Sequence, residues 1–320
     1  MDIQLIPFDP GSADHVDSAV AIWNQACGSD LAISARFLRY NTTVPAGARQ
    51  AGSLAVVAGS PAGFVLASHL PGDPLVAPPD RGWVDAIAVD PAYQRRGVGS
   101  ALLAWAEGWL TAAGCSIAAL GSSLHPFTPA LPVGLASHPF FLHRGFQGSD
   151  DAVVWDVAAD LAGYSPPGWL PEIDAVVRPG RAGDEAALLA FLHREFPGRW
   201  RYECEEFLRT GGRVSDYMLL WTGRGVDAFC VLTFADSAQP LERFYPYQLP
   251  QPWGQLGSVG VSEDCRGRGY GLAVVDAGLR RLHANGVNGC VIDWTVIVDF
   301  YGKFGFRPYR QYRMLRKSLR

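Results

Sequence analysis

Two segments of this chain share one order of features: an apolar strand, a loop rich in glycine and arginine, and the start of an amphipathic helix. The first glycine loop contains Gln94, Arg95, Arg96, Gly97, Val98, Gly99 and Ser100, and the second contains Arg266, Gly267, Arg268, Gly269, Tyr270 and Gly271. Glycine lets backbone N–H groups approach an anion closely, and a helix N-terminus favours negative charge. The repetition predicts a duplicated domain with a pyrophosphate-binding loop in each copy.

The composition indicates a globular protein of two ordinary domains. The chain has 320 residues, of which 48% are apolar and 18% charged, and its net charge is −4. That charge gives no electrostatic reason to expect nucleic acid or an acidic membrane as a partner. The sequence shows no signal peptide, no apolar run of the ~20 residues that span a bilayer, and no metal-ligand spacing among its six cysteines. We therefore predict a cytoplasmic protein with no metal, membrane or nucleic-acid partner.

A segment rich in proline and glycine separates the two halves. Residues 163–171 read Gly-Tyr-Ser-Pro-Pro-Gly-Trp-Leu-Pro, a composition that ends regular elements and stiffens linkers. Residues 3–7 and 175–179 start the two halves with similar apolar strands, each followed by a helical pattern. We predict an N-terminal domain at 1–162, a linker at 163–174 and a C-terminal domain at 175–320.

The order of elements is the same in both halves. Strands are predicted at 53–58, 63–69, 83–89, 116–120 and 152–157 in the first half, and at 217–222, 228–234, 255–261, 290–294 and 309–315 in the second. An amphipathic helix follows each glycine loop, and a short aromatic segment ending in Gly-Phe precedes each final strand. The predicted fold class is α/β: two tandem domains, each a mixed, mostly antiparallel sheet flanked by helices.

Two segments without regular patterning are candidates for the wall of an acceptor pocket. Residues 122–138 form a proline-rich loop that the second half lacks, and residues 241–247 are rich in aromatic side chains. Long loops over a site commonly shape a pocket, and aromatic faces suit sugars. Either segment is equally compatible with a packed surface loop or a contact between domains.

The residues around the loops resemble a known cofactor-binding pattern. The pattern Val-x-Pro-x-x-Gln/Arg-x-x-Gly-x-Gly/Ala is similar to the acetyl-CoA loop of the GNAT superfamily of N-acetyltransferases. The first half matches it through Val89, Pro91, Gln94, Gly97 and Gly99, and the second through Val261, Arg266, Gly269 and Gly271, with Glu263 in place of the proline. Neither loop fits the P-loop or the dinucleotide fingerprint. The resemblance covers nearly the whole chain as two tandem GNAT domains.

The resemblance implies that acetyl-CoA is the cofactor and makes both loops candidate sites for it. Whether both domains bind it stays open, because the N-terminal domain could instead shape the acceptor site or support the fold. In the family, the strand before the loop also hydrogen-bonds the pantetheine arm. That role falls on Ile87, Ala88 and Val89 in the first half and on Val259, Gly260 and Val261 in the second.

The resemblance also implies which half is the catalyst. Many family members protonate the departing CoA thiolate with a tyrosine on the helix after the fifth strand, which corresponds to Tyr301 here. The first half carries Phe141 at that position, so we predict chemistry in the C-terminal domain, with Asp293 as the candidate base. Asp299 and Asp85 are alternative carboxylates, and His138 and His143 flank Phe141.

The predicted function is acetyl-CoA-dependent N-acetyl transfer, made directly to a primary amine of a small molecule such as an amino sugar, an antibiotic-like amine or a peptide. A non-catalytic acyl-CoA sensor and a tandem acetyltransferase similar to mycothiol synthase remain open as alternatives. A homodimer is compatible with the sequence.

Overall fold

The computed structural model describes residues 2–149, 153–241 and 248–319. It divides into two compact units, each built around one sheet. The first unit contains the chain up to Val154 together with residues 311–319, and the second contains residues 155–241 and 249–310. Both units combine a mixed sheet with flanking helices, so the predicted fold class is confirmed. The predicted aromatic segment at 242–247 lies outside the described residues.

The first unit is a six-stranded sheet in the order β1-β2-β3-β4-β5-β14. Its strands are β1 (Gln4–Pro7), β2 (Arg49–Val57), β3 (Ser60–His69), β4 (Arg81–Val89), β5 (Ile117–Leu120) and β14 (Arg316–Ser318). Its helices are α1 (Ala13–Cys27), α2 (Ala35–Asn41), α3 (Val98–Ala112) and α4 (His138–Leu142), and a two-residue strand β6 (Leu131–Pro132) pairs with Tyr312 and Arg313. All neighbouring strands are antiparallel except β4 and β5, which are parallel.

The second unit repeats this plan. Its strands β8-β9-β10-β11-β12-β7 are neighbours in that order, β13 follows β7 in the same eight-stranded sheet, and among the described pairs from β8 to β7 only β11–β12 is parallel. Its strands are β7 (Val153–Asp160), β8 (Val176–Pro179), β9 (Tyr217–Thr222), β10 (Gly225–Thr233), β11 (Trp253–Val261), β12 (Gly289–Thr295) and β13 (Arg307–Arg313), and its helices are α5 (Glu185–Glu195), α6 (Arg199–Arg209), α7 (Tyr270–Ala284) and α8 (Val298–Gly302).

The last strand of each half of the chain joins the sheet that the other half forms. β7 lies at the end of the first half of the chain but pairs antiparallel with β12, and β14 at the C-terminus pairs antiparallel with β5. The predicted domain boundaries at 162 and 175 simply divide the chain in order, and they do not include this exchange of final strands between the two halves. β14 has only three residues, Arg316–Ser318, none of them apolar, so no local pattern indicates its pairing with β5.

The helix after each glycine loop packs on its own sheet. Val98, Leu102 and Leu110 on α3 are buried against the first sheet, and a methyl group on Gly63 of β3 would lie 2.9 Å from Cδ1 of Leu102. This close packing holds the N-terminus of α3 at the carboxyl end of β4, where the first glycine loop begins. None of the helices in the described residues has the length and apolarity that crossing a bilayer requires.

Candidate active site

The first unit contains a cavity of about 810 Å³ between the end of β4, the first glycine loop and α4. The predicted cofactor-binding residues that line it are Ile87, Ala88, Val89, Gln94, Arg95, Gly97, Gly99 and Ser100, whereas Arg96 and Val98 do not. The long loop at 122–138 contributes Thr128, Ala130, Leu131, Pro132, Leu135, Ala136 and Ser137 to the wall. The volume is within the range of pockets that hold small ligands.

A gap between two parallel strands opens the inner part of the cavity. β4 pairs with β5 from Arg81 to Val84 only, although β4 continues to Val89. The backbone from Ala86 to Val89 therefore pairs with β3 on one side and faces the cavity on the other, and Asp85 lies at the irregularity of the β3–β4 register. An exposed strand edge of this kind can hydrogen-bond an extended amide-containing ligand.

The first glycine loop has the backbone conformation of an anion site. Arg95 and Gly97 both have positive φ, +61° and +92°, and Gly97 precedes the first residue of the 15-residue helix α3. Alternation of left- and right-handed residues turns successive N–H groups toward one concave side. The side chain of Gln94 donates to the carbonyl of Val89 at 3.0 Å and so closes the loop on β4.

Arg144 places a positive charge beside the start of α3. Its Nη2 donates to the hydroxyl of Ser100, its Nη1 donates to the carbonyl of Phe140 at 3.1 Å, and its guanidinium lies 3.8 Å from the centre of the Phe140 ring. Arg144 and Ser100 both line the cavity. A guanidinium held in this way is well suited to binding a phosphate oxygen.

Asp85 is the buried carboxylate of the cavity wall. Its side chain is 3% exposed and accepts hydrogen bonds from Ser68 Oγ at 2.8 Å and from Gln50 Nε2 at 3.0 Å. Burial raises the pKa of Asp85 from 3.8 to about 6, and hydrogen bonds to the carboxylate, those from Gln50 and Ser68 among them, limit that rise because they stabilise the charged form. A carboxylate with a pKa near neutrality is suited to general-base catalysis.

The remaining wall near Asp85 is largely apolar. Trp23 and Cys27 of α1 line the cavity, and Trp23 packs edge-on against Phe127 at 5.3 Å between ring centres. Burial raises the pKa of the Cys27 thiol to about 12, which keeps it neutral and unreactive. Phe141 also lines the cavity, and so does His143.

The second glycine loop lies in a different environment. Arg266, Gly267 and Arg268 are exposed, whereas Gly269 is half-buried: a methyl group on it would lie 2.5 Å from Cγ of Pro171. A second, shallower cavity of about 510 Å³ in this unit is lined by Asp160, Ala162–Ser165, Pro167 and Lys303–Gly305. Neither cavity is lined by the second loop or by Val259, Gly260 or Val261.

The two predicted catalytic residues lie in this second unit. Tyr301 is 5% exposed, packs in the core against Phe300 and Phe306, and has its pKa raised by burial. Asp293 accepts a hydrogen bond from Gln255 Nε2 at 2.5 Å. The structure therefore places Tyr301 and Asp293 apart from the 810 Å³ cavity, and their catalytic roles remain predictions.

Sequence reasoning missed three residues of the first site. Gln50 and Ser68 lie on β2 and β3, far along the chain from Asp85, and no motif connects them. The sequence could have indicated Arg144, because this charged residue lies in the aromatic segment at the position that Phe304 has in the second half.

The comparisons with known proteins agree with this architecture. The family model described as the acetyltransferase (GNAT) family matches residues 22–146 and 193–306. The chain belongs to the GNAT acetyltransferase family. The two matched regions make it a tandem GNAT protein, as the two glycine loops predicted, and an acyltransferase by family. No curated protein sequence matches this GNAT chain.

Solved structures share the fold of this GNAT protein over its whole length. The glucosamine N-acetyltransferase region of a fungal multi-domain GH3 beta-N-acetylglucosaminidase has a TM-score of 0.87 and 23% identity over 98% of this chain, which spans 38% of that fungal chain. A tandem GNAT protein of the clavulanic acid biosynthesis pathway has a TM-score of 0.72 and 14% identity, covering 100% of this chain and 99% of that one. A GNAT protein of Sphaerobacter thermophilus has a TM-score of 0.69 and 18% identity, covering 99% and 96%.

Proposed function

We propose that this GNAT protein transfers acetyl from acetyl-CoA to a primary amine of a small molecule, and that the reaction takes place in the cavity of the first unit. One observation carries the proposal: a single cavity joins the first glycine loop, the open edge of β4 and the buried carboxylate of Asp85. This location differs from the C-terminal site that Tyr301 indicated.

The first half of the proposal concerns how acetyl-CoA is held. The N–H groups of residues 95–100 and the guanidinium of Arg144 would bind the pyrophosphate, because both lie at the N-terminus of α3. The free side of β4 from Asp85 to Val89 would pair with the amides of the pantetheine arm. Acetyl-CoA supplies the activated thioester.

The second half concerns the proton of the amine. A primary ammonium must lose a proton before its nitrogen can attack the thioester carbonyl, and the ionised Asp85 would accept that proton. As the N–C bond forms and the C–S bond breaks, the CoA thiolate takes a proton from solvent at the open end of the cavity. Trp23, which lines the cavity and packs on Phe127, would exclude water around the amine.

The acceptor proposed first is an amino sugar. The wall near Asp85 combines the ring of Trp23 with the hydroxyl of Thr128, a combination that suits a polar ring with apolar faces. The fungal region with the same fold is described as a glucosamine N-acetyltransferase, which is consistent with this choice.

The test is release of CoA thiol from acetyl-CoA with glucosamine, aminoglycosides, short peptides and simple alkylamines as acceptors. We expect turnover with one acceptor class and saturation in both substrates. Acetyl-CoA binding without turnover across the panel would contradict acetyl transfer and favour the acyl-CoA sensor.

The pH dependence of the reaction tests the role of Asp85. Because the pKa of Asp85 is about 6 and its ionised form is the active one, kcat/KM should fall as the pH drops below 6. Ser68→Ala removes a donor to the carboxylate and should raise that pKa, moving the acidic limb upward by ~0.5–1 pH unit.

Ser53→Ala is the matched control for this measurement. Ser53 is an equally buried serine of the same sheet whose hydroxyl donates to the carbonyl of Ile6 and not to Asp85. Its acidic limb should coincide with that of the wild type. If Ser68→Ala does not shift the pH of the acidic limb, Asp85 is excluded as the titrating base.

A further inference from the structure

The side chains around the two glycine loops differ in chemical character. Leu272 stands three residues after the helix-capping Gly269, where Ser100 stands after Gly97. Phe304 precedes Gly-Phe in the second aromatic segment, where Arg144 precedes Gly-Phe in the first. The hydrogen-bonded pair of Arg144 and Ser100 is thus replaced by two apolar side chains. An apolar pair offers nothing to a phosphate group.

The linker (residues 163–174) packs against the surface between Phe304 and Gly269, here called the second groove, within the second unit. The Trp169 ring lies 5.6 Å from the Phe304 ring, between centres, and Leu170 and Ile173 pack on the core of this unit. Pro171 contacts Gly269, since a methyl group on Gly269 would lie only 2.5 Å from Cγ of Pro171. The linker therefore crosses from the end of α8 to the N-terminus of α7.

A part-buried hydrogen bond anchors the linker at its start. The hydroxyl of Tyr164 donates to Oδ1 of Asp276 on α7 at 2.9 Å, and Arg280 donates to Oδ2 of the same carboxylate at 2.8 Å. Asp276 is buried, whereas Tyr164 is half-buried. A charge-assisted hydrogen bond to a buried carboxylate is stronger than a hydrogen bond between neutral groups.

The gap between strands β11 and β12 of the second unit is bridged by side chains. β11 pairs with β12 only from Trp253 to Gln255, so a gap opens as it does in the first unit. Gln255 and Asp293 bridge that gap with a 2.5 Å hydrogen bond between their side chains. Gly257 stands four residues before Val261, where Asp85 stands before Val89, so the second unit lacks the corresponding carboxylate.

We infer that the second glycine loop does not bind acetyl-CoA, because the linker takes the place that the cofactor would occupy, and that the chain binds one acetyl-CoA in its first unit. The inference rests on the proposed use of acetyl-CoA. It narrows the two candidate cofactor sites implied by the resemblance to one. The second loop then serves as a packing site for the chain itself.

The experiment is titration calorimetry of the full chain with acetyl-CoA, combined with hydrogen exchange of the same complex. We expect one site per chain. Arg144→Ala should weaken binding at least tenfold, because it removes the cation at the first loop. Lys303→Ala removes the exposed cation next to Phe304 and should leave the affinity unchanged. Saturating acetyl-CoA should slow exchange in peptides covering 94–100 and 138–144, and leave 164–173 and 266–271 as they are.

Each result has a definite meaning. Two sites per chain, or slowed exchange at 266–271 with faster exchange at 164–173, would overturn the inference and leave the proposed function standing. One site that Lys303→Ala weakens and Arg144→Ala does not would overturn it as well. Absence of any acetyl-CoA binding would refute the proposed function, and the inference would fall with it.

Discussion

Asp85→Asn is expected to lower kcat/KM for acetyl transfer by 10²–10⁴-fold, the range of general-base contributions. The amide keeps the shape of the carboxylate but cannot accept the proton of the ammonium. The affinity for acetyl-CoA should stay close to that of the wild type, since Arg144 and the first glycine loop are untouched. Steady-state kinetics at pH 7.5, together with calorimetry of acetyl-CoA binding, measures both quantities.

The same variant should be at least as stable as the wild type. The folded-state pKa of Asp85, about 6, lies above its ordinary 3.8, so ionisation is disfavoured in the fold. The resulting cost grows as the pH rises from about 4 to about 6 and is complete above 6, where it reaches ~3 kcal/mol at most. Asparagine removes that cost and gives up part of one hydrogen bond, ~1 kcal/mol. Thermal unfolding at pH 7.5 is the measurement.

The comparison that locates the chemistry uses Asp293→Asn and Tyr301→Phe in parallel. If Asp85→Asn keeps the rate and these two lose it, the reaction belongs to the second unit and our assignment is wrong. A large loss confined to Asp85→Asn supports the first unit. Acetyl-CoA binding by each variant separates lost chemistry from lost folding.

Truncation after Met314 is expected to destabilise the first unit by at least 2–5 kcal/mol and to abolish activity. This effect on the first unit is expected even though the deleted residues lie at the C-terminal end of the chain. The deletion removes β14, which pairs with β5, and Leu315, which is 3% exposed in the first core. The lower bound is the usual cost of emptying one buried leucine site. β5 forms part of the cavity wall through Leu120, whose N–H donates to the carbonyl of Leu315 at 3.0 Å.

Hydrogen exchange resolves this effect by unit. Peptides of β4 and β5 should lose protection, whereas those of β9 and β10 should keep it. Leu315→Ala is the milder variant, expected to cost 2–5 kcal/mol, and Leu75→Ala is its control, since Leu75 is 65% exposed and should cost no more than ~0.5 kcal/mol. Equal stability of the truncated and full chains would show that β14 contributes nothing to the first unit.

Local patterns were sufficient for much of the fold. The strands of both halves, the helix after each glycine loop and the mixed sheets were predicted from apolar periodicity and from glycine at helix starts. Two helices were missed, α2 and α6, as was the short strand β14. α2 has only seven residues, too few to show a clear period, whereas α6 has apolar side chains at helical spacing, Trp200, Cys204 and Phe207, which could have indicated it despite its many charges.

The sequence by itself determined that the chain is a duplicated GNAT protein, because strand, glycine loop and helix are encoded by neighbouring residues. Only the tertiary structure decided which of the two glycine loops lines the 810 Å³ cavity. That outcome depends on contacts between residues far apart in the chain: Ser68 and Gln50 with Asp85, Trp169 and Pro171 with the second groove, and β14 with β5. Burial and strand pairing are properties of the assembled fold. The surroundings of residues such as Tyr301 and Phe141, and hence their value as site residues, therefore could not be predicted from the sequence alone.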